Sequence, residues 1–123
     1  MTQAVLKLIS DTLSTAGINY EFGEWSSDIV YPYFVGEYTE NEPYTEDGLY
    51  EIDFILNGFS RDTWITLETA KQTIENSFSN CTQILSNGSG VDVSYAGSFI
   101  VPTGDAELKR IQINLKIKEW KVI

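Results

Sequence analysis

Hydrophobic residues recur at two different periods along this chain of 123 residues. In two stretches they recur every three to four positions, which places them on one face of an amphipathic helix. In the first stretch this face comprises Val5, Leu6, Leu8, Ile9, Leu13 and Ala16, and Gly17 follows as a natural stop. In the second stretch, residues 62–78, it comprises Leu67, Ala70, Lys71, Ile74 and Phe78. The sequence therefore predicts two helices.

The remaining segments alternate hydrophobic and polar residues, which is the pattern of half-buried strands. The clearest alternation is at the end of the chain, where Ile111, Ile113, Leu115 and Ile117 face one side and Arg110, Gln112, Asn114, Lys116 and Lys118 face the other. Further strands are predicted at residues 18–25, 33–38, 49–56, 82–85 and 91–101. We expect Asn57-Gly58 to end the strand at 49–56, and Gly97 to mark a bend or bulge.

The resulting order of elements, αβββα(β)ββ, predicts a fold class. Two helices and a run of hairpin-connected strands are typical of an α+β domain. We expect residues 1–123 to form a single domain, with a mostly antiparallel sheet and both helices packed on one face of it.

The formal net charge of −10 is distributed unevenly. Residues 1–60 contain eleven acidic residues and one basic residue, whereas residues 61–123 contain seven of each. Such asymmetry concerns partners and assembly rather than fold. It disfavours nonspecific binding to duplex nucleic acid, because phosphate contacts require a basic surface.

Several kinds of chemistry have no support in the sequence. The chain has no histidine, which removes Ser-His-Asp and Cys-His arrangements and zinc sites built on histidine. Cys81 is the single cysteine, has no basic neighbour in sequence, and is interpreted as a buried or incidental thiol. No apolar run approaches the roughly 18–20 residues that span a bilayer, and a signal peptide is not expected. We therefore predict no enzyme activity, no catalytic or metal-binding residues, no cofactor and no membrane partner.

The stretch "YPYFVGEYTENEPYTEDGLYEID" concentrates acidic and aromatic residues. Its oxygen ligands suit calcium, but their spacing does not match an EF-hand loop. Core packing is the favoured explanation for Tyr33 and Tyr50, while Tyr38 and Tyr44 remain open as parts of a sugar-binding platform. We expect residues 39–48 to form an exposed loop. The predicted interface residues are Glu37, Tyr38, Glu40, Glu42, Tyr44, Glu46, Asp47, Glu51, Asp53, Lys116 and Lys118.

The order of the elements and their sequences resemble those of the tail terminator proteins of long-tailed phages, also called tail completion or head-to-tail joining proteins. The residues that carry the resemblance are the early helix, "YPYFVGEYTE", "GLYEIDFILNGFSR", "WITLETAKQTIENSF" and "PTGDAELKRIQINLKIKEWKVI". The pattern covers nearly the whole chain and looks most like versions from prophages of Gram-positive bacteria. The family has no catalytic signature to compare.

The resemblance implies a non-enzymatic tail protein that forms a hexameric ring. Such a ring caps the tail tube, joins it to the head-side connector protein, and lets DNA pass without binding it specifically. It implies a location in the host cytoplasm during assembly and in the virion tail afterwards. The acidic composition leaves a second function class open, a DNA-mimic inhibitor of a host nucleic-acid-binding enzyme of the anti-restriction type. A calcium-binding or carbohydrate-binding module is a third.

Overall fold

The computed structural model of the protein describes residues 3–40, 49–79, 81–85 and 88–120. These residues form two helices and one mostly antiparallel sheet, which confirms the predicted α+β fold. The elements are α1 (Gln3–Thr15), β1 (Tyr20–Phe22), β2 (Tyr33–Glu40), β3 (Leu49–Ser60), α2 (Trp64–Ser77), β4 (Cys81–Ile84), β5 (Gly90–Val101) and β6 (Lys109–Trp120).

Both helices form where the apolar spacing predicts them. In α1 the buried residues are Val5, Ile9 and Leu13, and the helix ends before Gly17, whose positive φ of 79° suits glycine. In α2 the buried residues are Leu67, Ala70 and Ile74. Thr63 occupies the N-cap position without a side-chain capping hydrogen bond. None of the helices within the described residues is long and apolar enough to cross a membrane.

The six strands within the described residues follow the order β1-β2-β3-β6-β5-β4. The three long central strands pair antiparallel over most of their length, since β3 pairs with β6 from Leu49↔Trp120 to Ser60↔Lys109. On the edge, β1 pairs in parallel with β2 over three positions, from Tyr20↔Phe34 to Phe22↔Gly36. The strand predicted at 18–25 is therefore shorter than expected.

One core joins the helices to one face of the sheet. It contains Val5, Ile9, Leu13, Phe34, Ile52, Phe54, Leu56, Leu67, Ile74, Phe78, Val93, Ile111, Ile113, Leu115 and Ile117, among others. The alternation in β6 is as predicted, because Ile111 to Ile117 at odd positions are all buried against the helices. Burial of this surface is the main driving force for folding.

Asn57-Gly58 does not end β3, which is a correction to the sequence interpretation. The strand continues to Ser60, with Asn57 opposite Gln112 and Gly58 opposite Ile111. A Cβ atom at Gly58 would overlap the ring of Phe34 on β2. The glycine is therefore required by close packing within the sheet rather than by a turn.

The irregularity predicted at Gly97 is present. The register between β5 and β6 shifts between Tyr95 and Ser98, and Gly97 has a φ of 108°. After this shift β5 pairs with β6 in a new register, in which Phe99 lies opposite Gln112 and Val101 opposite Arg110.

Candidate interface on the open face of the sheet

Only one side of the sheet packs against α1 and α2, and we call the other side the open face. The strand registers fix which residues share it. Tyr33, Phe59, Arg110 and Val101 form one cross-strand row, and Val35, Asn57, Gln112 and Phe99 form the next. Further along the same strands, Asp53, Lys116 and Ser94 form a row, followed by Glu51, Lys118 and Asp92.

These rows divide the open face into two parts. We call the part containing Glu51, Asp53, Asp92, Lys116 and Lys118 the charged half. The Nζ atom of Lys116 lies 3.4 Å from Oδ1 of Asp53 and 3.8 Å from Oε2 of Glu51. These ion pairs join β3 to β6 within one chain, and they leave the acidic groups of β3 partly neutralised. Exposed pairs of this kind contribute roughly 0–1 kcal/mol each.

The second part, which we call the aromatic half, contains Trp25, Tyr31, Tyr33, Phe59 and Arg110. The ring of Tyr33 lies 4.9 Å from Trp25, 5.6 Å from Tyr31 and 5.2 Å from Phe59, centroid to centroid. The Arg110 guanidinium lies 5.5 Å from the centroid of the Phe59 ring, within the range of cation–π attraction. Four half-buried rings and a cation thus form a continuous surface on a side of the sheet that the helices leave uncovered.

The polar groups of the aromatic half are incompletely paired. Nη2 of Arg110 donates to Oδ1 of Asn57 at 2.9 Å, and Nδ2 of Asn57 donates to Oε1 of Glu37 at 3.3 Å. By contrast, Nε of Arg110 and the indole Nε1 of Trp25 are buried without an acceptor among the described residues. Arg110 also makes none of the ion pairs found in the described part of the chain. All four of these side chains line a cavity of about 390 Å³.

A second set of contacts holds the segment that carries Trp25. The Ser26 hydroxyl donates to Oε1 of Glu21 at 2.7 Å, and the Ser27 amide donates to Oε2 at 3.3 Å. These hydrogen bonds, with that from the Ser26 hydroxyl first, hold the pKa of the Glu21 carboxyl below its ordinary value. Glu21 therefore positions Trp25 from the neighbouring strand β1.

The edge of the aromatic half is formed by Tyr31 and Arg61. Nε of Arg61 donates to the Tyr31 hydroxyl oxygen at 3.2 Å, and Nη1 lies 3.6 Å from Oδ2 of Asp105. Burial raises the pKa of the Tyr33 phenol above its ordinary value, and Tyr31 adds to this effect. The phenol of Tyr33 is therefore neutral across the physiological range, which favours packing against other rings.

The predicted interface residues separate into three groups in the structure. Glu51, Asp53, Lys116 and Lys118 lie together on the charged half, and Glu37 lies at the border of the aromatic half. Tyr38 projects to the opposite side of the sheet, where it is 38% exposed and its ring stacks at 5.9 Å on Phe22, and Glu40 ends β2. Glu42, Tyr44, Glu46 and Asp47 lie outside the described residues.

The assignment of Tyr33 to the core is wrong. Phe34, its neighbour, is the residue of β2 that is fully buried under the helices, so Tyr33 lies on the open face. Trp25, Phe59 and Arg110 were not among the predicted interface residues, although the alternation of the last strand already placed Arg110 on its polar face. Phe59 was missed because the sequence interpretation ended its strand at Asn57.

Candidate metal and thiol chemistry has little support in the structure. The described residues contain no group of three or more acidic or cysteine side chains arranged to hold a metal ion. The acidic residues considered for calcium between β2 and β3 lie outside the described residues. Cys81 is partly buried, and burial together with nearby Asp92 raises the pKa of its thiol. A thiol of this kind is a poor nucleophile at neutral pH.

Comparison with solved structures identifies a protein of the same fold. The chain is similar to a chain from the virion of a native gene transfer agent particle, with a TM-score of 0.71. The two chains share a fold. The match covers 93% of this chain and 85% of the other, at 12% sequence identity, and at that identity it establishes the fold alone. No protein-family model and no curated protein matches the sequence.

Proposed function

We propose that this protein is a non-enzymatic structural component of a phage-type particle, which assembles into a hexameric ring that caps the tail tube and joins it to the head-side connector. The observation that carries the proposal is the fold shared with a virion chain over 93% of this chain and 85% of that one. Similarity over nearly the whole length of both chains is expected of proteins with the same architecture. The resemblance in sequence pattern to tail terminator proteins points to the same class.

The surface of the protein supports assembly with other proteins. The open face presents aromatic rings and an arginine, residue types that are enriched in the central parts of protein interfaces. Large hydrophobic side chains are also exposed elsewhere, including Ile65 at 75%, Ile29 at 55% and Ile100 at 56%. A ring uses two different patches on each subunit, and a chain with several such surfaces can satisfy this requirement.

The DNA-mimic alternative fits the charge distribution less well. A mimic of the phosphate backbone needs carboxylates without intervening cations. On the charged half, Lys116 is bonded to Glu51 and Asp53, and Lys118 lies between Glu51 and Asp92 in the strand register. The interleaved lysines favour the structural function.

The proposal is tested with the purified protein and the tail-tube protein of the same phage. We expect the native mass to be a multiple of that of one chain, and negative-stain images to show rings that attach to tube ends. A protein that stays a single copy at all concentrations and does not bind tube ends contradicts the proposal. Inhibition of a restriction endonuclease at low salt, with no ring, would support the DNA-mimic alternative instead.

A further inference from the structure

We propose that neighbouring copies of this chain join edge to edge, with the uncovered edge of β5 at residues 98–100 in one copy paired antiparallel to β1 in the next. Ser98 then lies opposite Phe22 of the second copy, and Ile100 lies opposite its Tyr20. The two sheets become one continuous sheet across the contact. This inference rests on the proposed ring assembly and names the contact that links neighbouring subunits.

The first argument is the uncovered edge of β5. Strand β4 pairs with β5 only over residues 90–93, so residues 98–101 have no strand beside their outer edge in the described part of the chain. They read SFIV, with Phe99 and Ile100 exposed on opposite faces at 51% and 56%. Proteins commonly protect an open edge with charges, a proline or a bulge, and residues 98–101 contain none of them. An edge of this kind is a template for an added strand.

The second argument is that β1 presents a matching edge at the opposite end of the strand order. Asn19 and Gly23, at the two ends of β1, bond to β2 through their backbone groups. Because these groups alternate in direction along a strand, those of Tyr20 and Phe22 point away from β2. Cavities of about 430 and 500 Å³ border this edge, and both are lined by Tyr20 and Glu21. The outer edge of β1 is therefore accessible to another strand.

The third argument is that the two edges agree in direction, hydrogen bonding and face. The sheet order makes β1 antiparallel to β5, so a second copy in the same orientation presents β1 in the direction that an antiparallel pair requires. The alternation of hydrogen bonds, carried through the registers of β3 and β6, directs the backbone groups of Ser98 and Ile100 outward. The side chains of these two residues lie on the side of the sheet that carries the helices, as do those of Tyr20 and Phe22. The joined sheet therefore keeps the helices of both copies on one side.

The short edge strands of the two copies fit into one gap. Through the strand registers Tyr20 is level with Ile100. Phe22 is likewise level with Ser98, so the copies need no shift along the strands. By the same registers β4 begins level with Glu40, beyond the far end of β1. In the contact, β4 of the first copy and β1 of the second therefore lie end to end, between β5 of the first copy and β2 of the second.

The groups that meet across this contact are complementary. Val30 is exposed and lines one of the cavities beside β1, so it offers apolar surface to the exposed side chains of β5. Residues 18–40 carry five acidic side chains and no basic one. Next to the end of β5, Lys109 makes none of the ion pairs found among the residues that the structure describes. An acidic edge thus meets an edge that offers a positive charge, which favours a second copy as the partner.

A contact of this kind is directional. Each copy offers the β5 edge at one end of its strand order and β1 at the other, so successive copies join head to tail. Head-to-tail contacts are heterologous, and they close into a ring when the rotation between copies allows it. Pairing of two β5 edges with each other is two-fold instead, and it leaves the edge of β1 uncovered.

Cross-linking through introduced cysteines tests the contact in the full-length chain, with Cys81→Ser removing the natural thiol. Opposite residues in a hydrogen-bonded antiparallel pair have Cα atoms roughly 5.5 Å apart, which suits a disulfide. We expect a mixture of the Ser98→Cys and Phe22→Cys variants to form a covalent dimer under mild oxidation, and neither variant alone to do so. Tyr38→Cys is the matched control for Phe22→Cys, because the two rings stack at 5.9 Å and Tyr38 lies one strand further from the edge. Its mixture with Ser98→Cys should not link.

Two further variants extend the test. A chain that carries both Ser98→Cys and Phe22→Cys should form a ladder of covalent oligomers, because the strand order places these positions roughly 19 Å apart within one chain, too far for a disulfide. Without introduced cysteines, Ile100→Lys should raise the concentration at which the oligomer dissociates roughly 30-fold, since a charge on an edge opposes strand addition. Ile65→Lys, the same change at an exposed position of α2, is its control and should leave that concentration unchanged.

No dimer from the Ser98→Cys and Phe22→Cys mixture, or as much dimer from the Tyr38→Cys mixture, would overturn the inference. Comparable self-linking of Ser98→Cys alone would also overturn it, because this shows pairing of two β5 edges. Circular dichroism confirms that each variant is folded. The native mass of the unmodified protein separates the two proposals. A ring without the link between positions 22 and 98 leaves the proposed function and removes this contact. The link in chains that neither close into a ring nor bind tube ends does the reverse.

Discussion

The packing of Gly58 against Phe34 yields a quantitative prediction for Gly58→Ala. The three atoms nearest to a Cβ at this position all belong to the Phe34 ring, which is fully buried, so the ring has little room to move. Overpacking of a core costs about 1–3 kcal/mol. Replacing a glycine inside a strand by alanine stabilises the fold by roughly 0.5–1 kcal/mol, because the unfolded chain then loses less conformational entropy on folding. We therefore expect the free energy of unfolding to fall by about 1–2 kcal/mol.

Urea and thermal denaturation measure this change. For a domain of this size the melting temperature should fall by roughly 4–8 °C. Gly90→Ala is the matched control, because the nearest atom to its Cβ, Cε3 of Trp120, lies at an ordinary 3.6 Å. In a Phe34→Leu background the smaller side chain relieves the overlap, so Gly58→Ala should cost about 1 kcal/mol less. Equal stability of Gly58→Ala and the unmodified protein, or an equal loss in both backgrounds, would refute the packing argument.

Three further predictions concern the charged half, the segment of Trp25 and the thiol. The double variant Lys116→Glu, Lys118→Glu should have a free energy of unfolding lower by roughly 1 kcal/mol, because Lys116 pairs with Glu51 and Asp53. If these lysines also contact a neighbouring subunit, the native mass of the variant should fall at temperatures where it is folded. An unchanged native mass refutes that contact. The lowered pKa of the Glu21 carboxyl means that its ionised form stabilises the fold above pH 4.5, and this stability is lost as pH falls through the folded-state pKa. The fluorescence of Trp25 should therefore change on acidification. The same acid profile in Glu21→Gln would show that the change does not come from Glu21. Folding raises the pKa of the Cys81 thiol, so the neutral thiol favours the folded state, and this contribution is lost as pH rises through the folded-state pKa. A thiol reagent should therefore react slowly at pH 7 in folded protein and rapidly in urea. Equal rates in the two conditions would show an exposed thiolate.

Alternation along a strand predicts its buried residues well when only one of its faces is apolar. In β6 the odd positions from Ile111 to Ile117 are aliphatic and the even positions are polar, so the pattern allows only one assignment of the buried face. The stretch 33–36 is different, because Tyr33, Phe34 and Val35 are all apolar or aromatic. Which of them faces the core depends on where the helices pack, and a period of two does not contain that information.

Glycine and register account for the rest of the differences. Asn57-Gly58 is a common turn pair, and only the contact with Phe34, across two strands, explains why the glycine lies within β3. Likewise, the sequence interpretation selected Glu51, Asp53 and Lys116 one by one. Their pairing depends on the register of β3 with β6, and Asp53 and Lys116 are 63 residues apart in the chain. Trp25 reaches Tyr33 from an irregular segment, where no periodic pattern applies.

The native mass of the purified, full-length protein tests the central claim most directly. Sedimentation or native mass spectrometry across a wide range of concentrations gives the number of chains in one particle without a label or a partner. The proposed ring predicts a single closed species of six times the mass of one chain, 13.9 kDa, unchanged on dilution until it dissociates. A single chain at every concentration, in the presence of tail tubes as well as in their absence, would contradict the account.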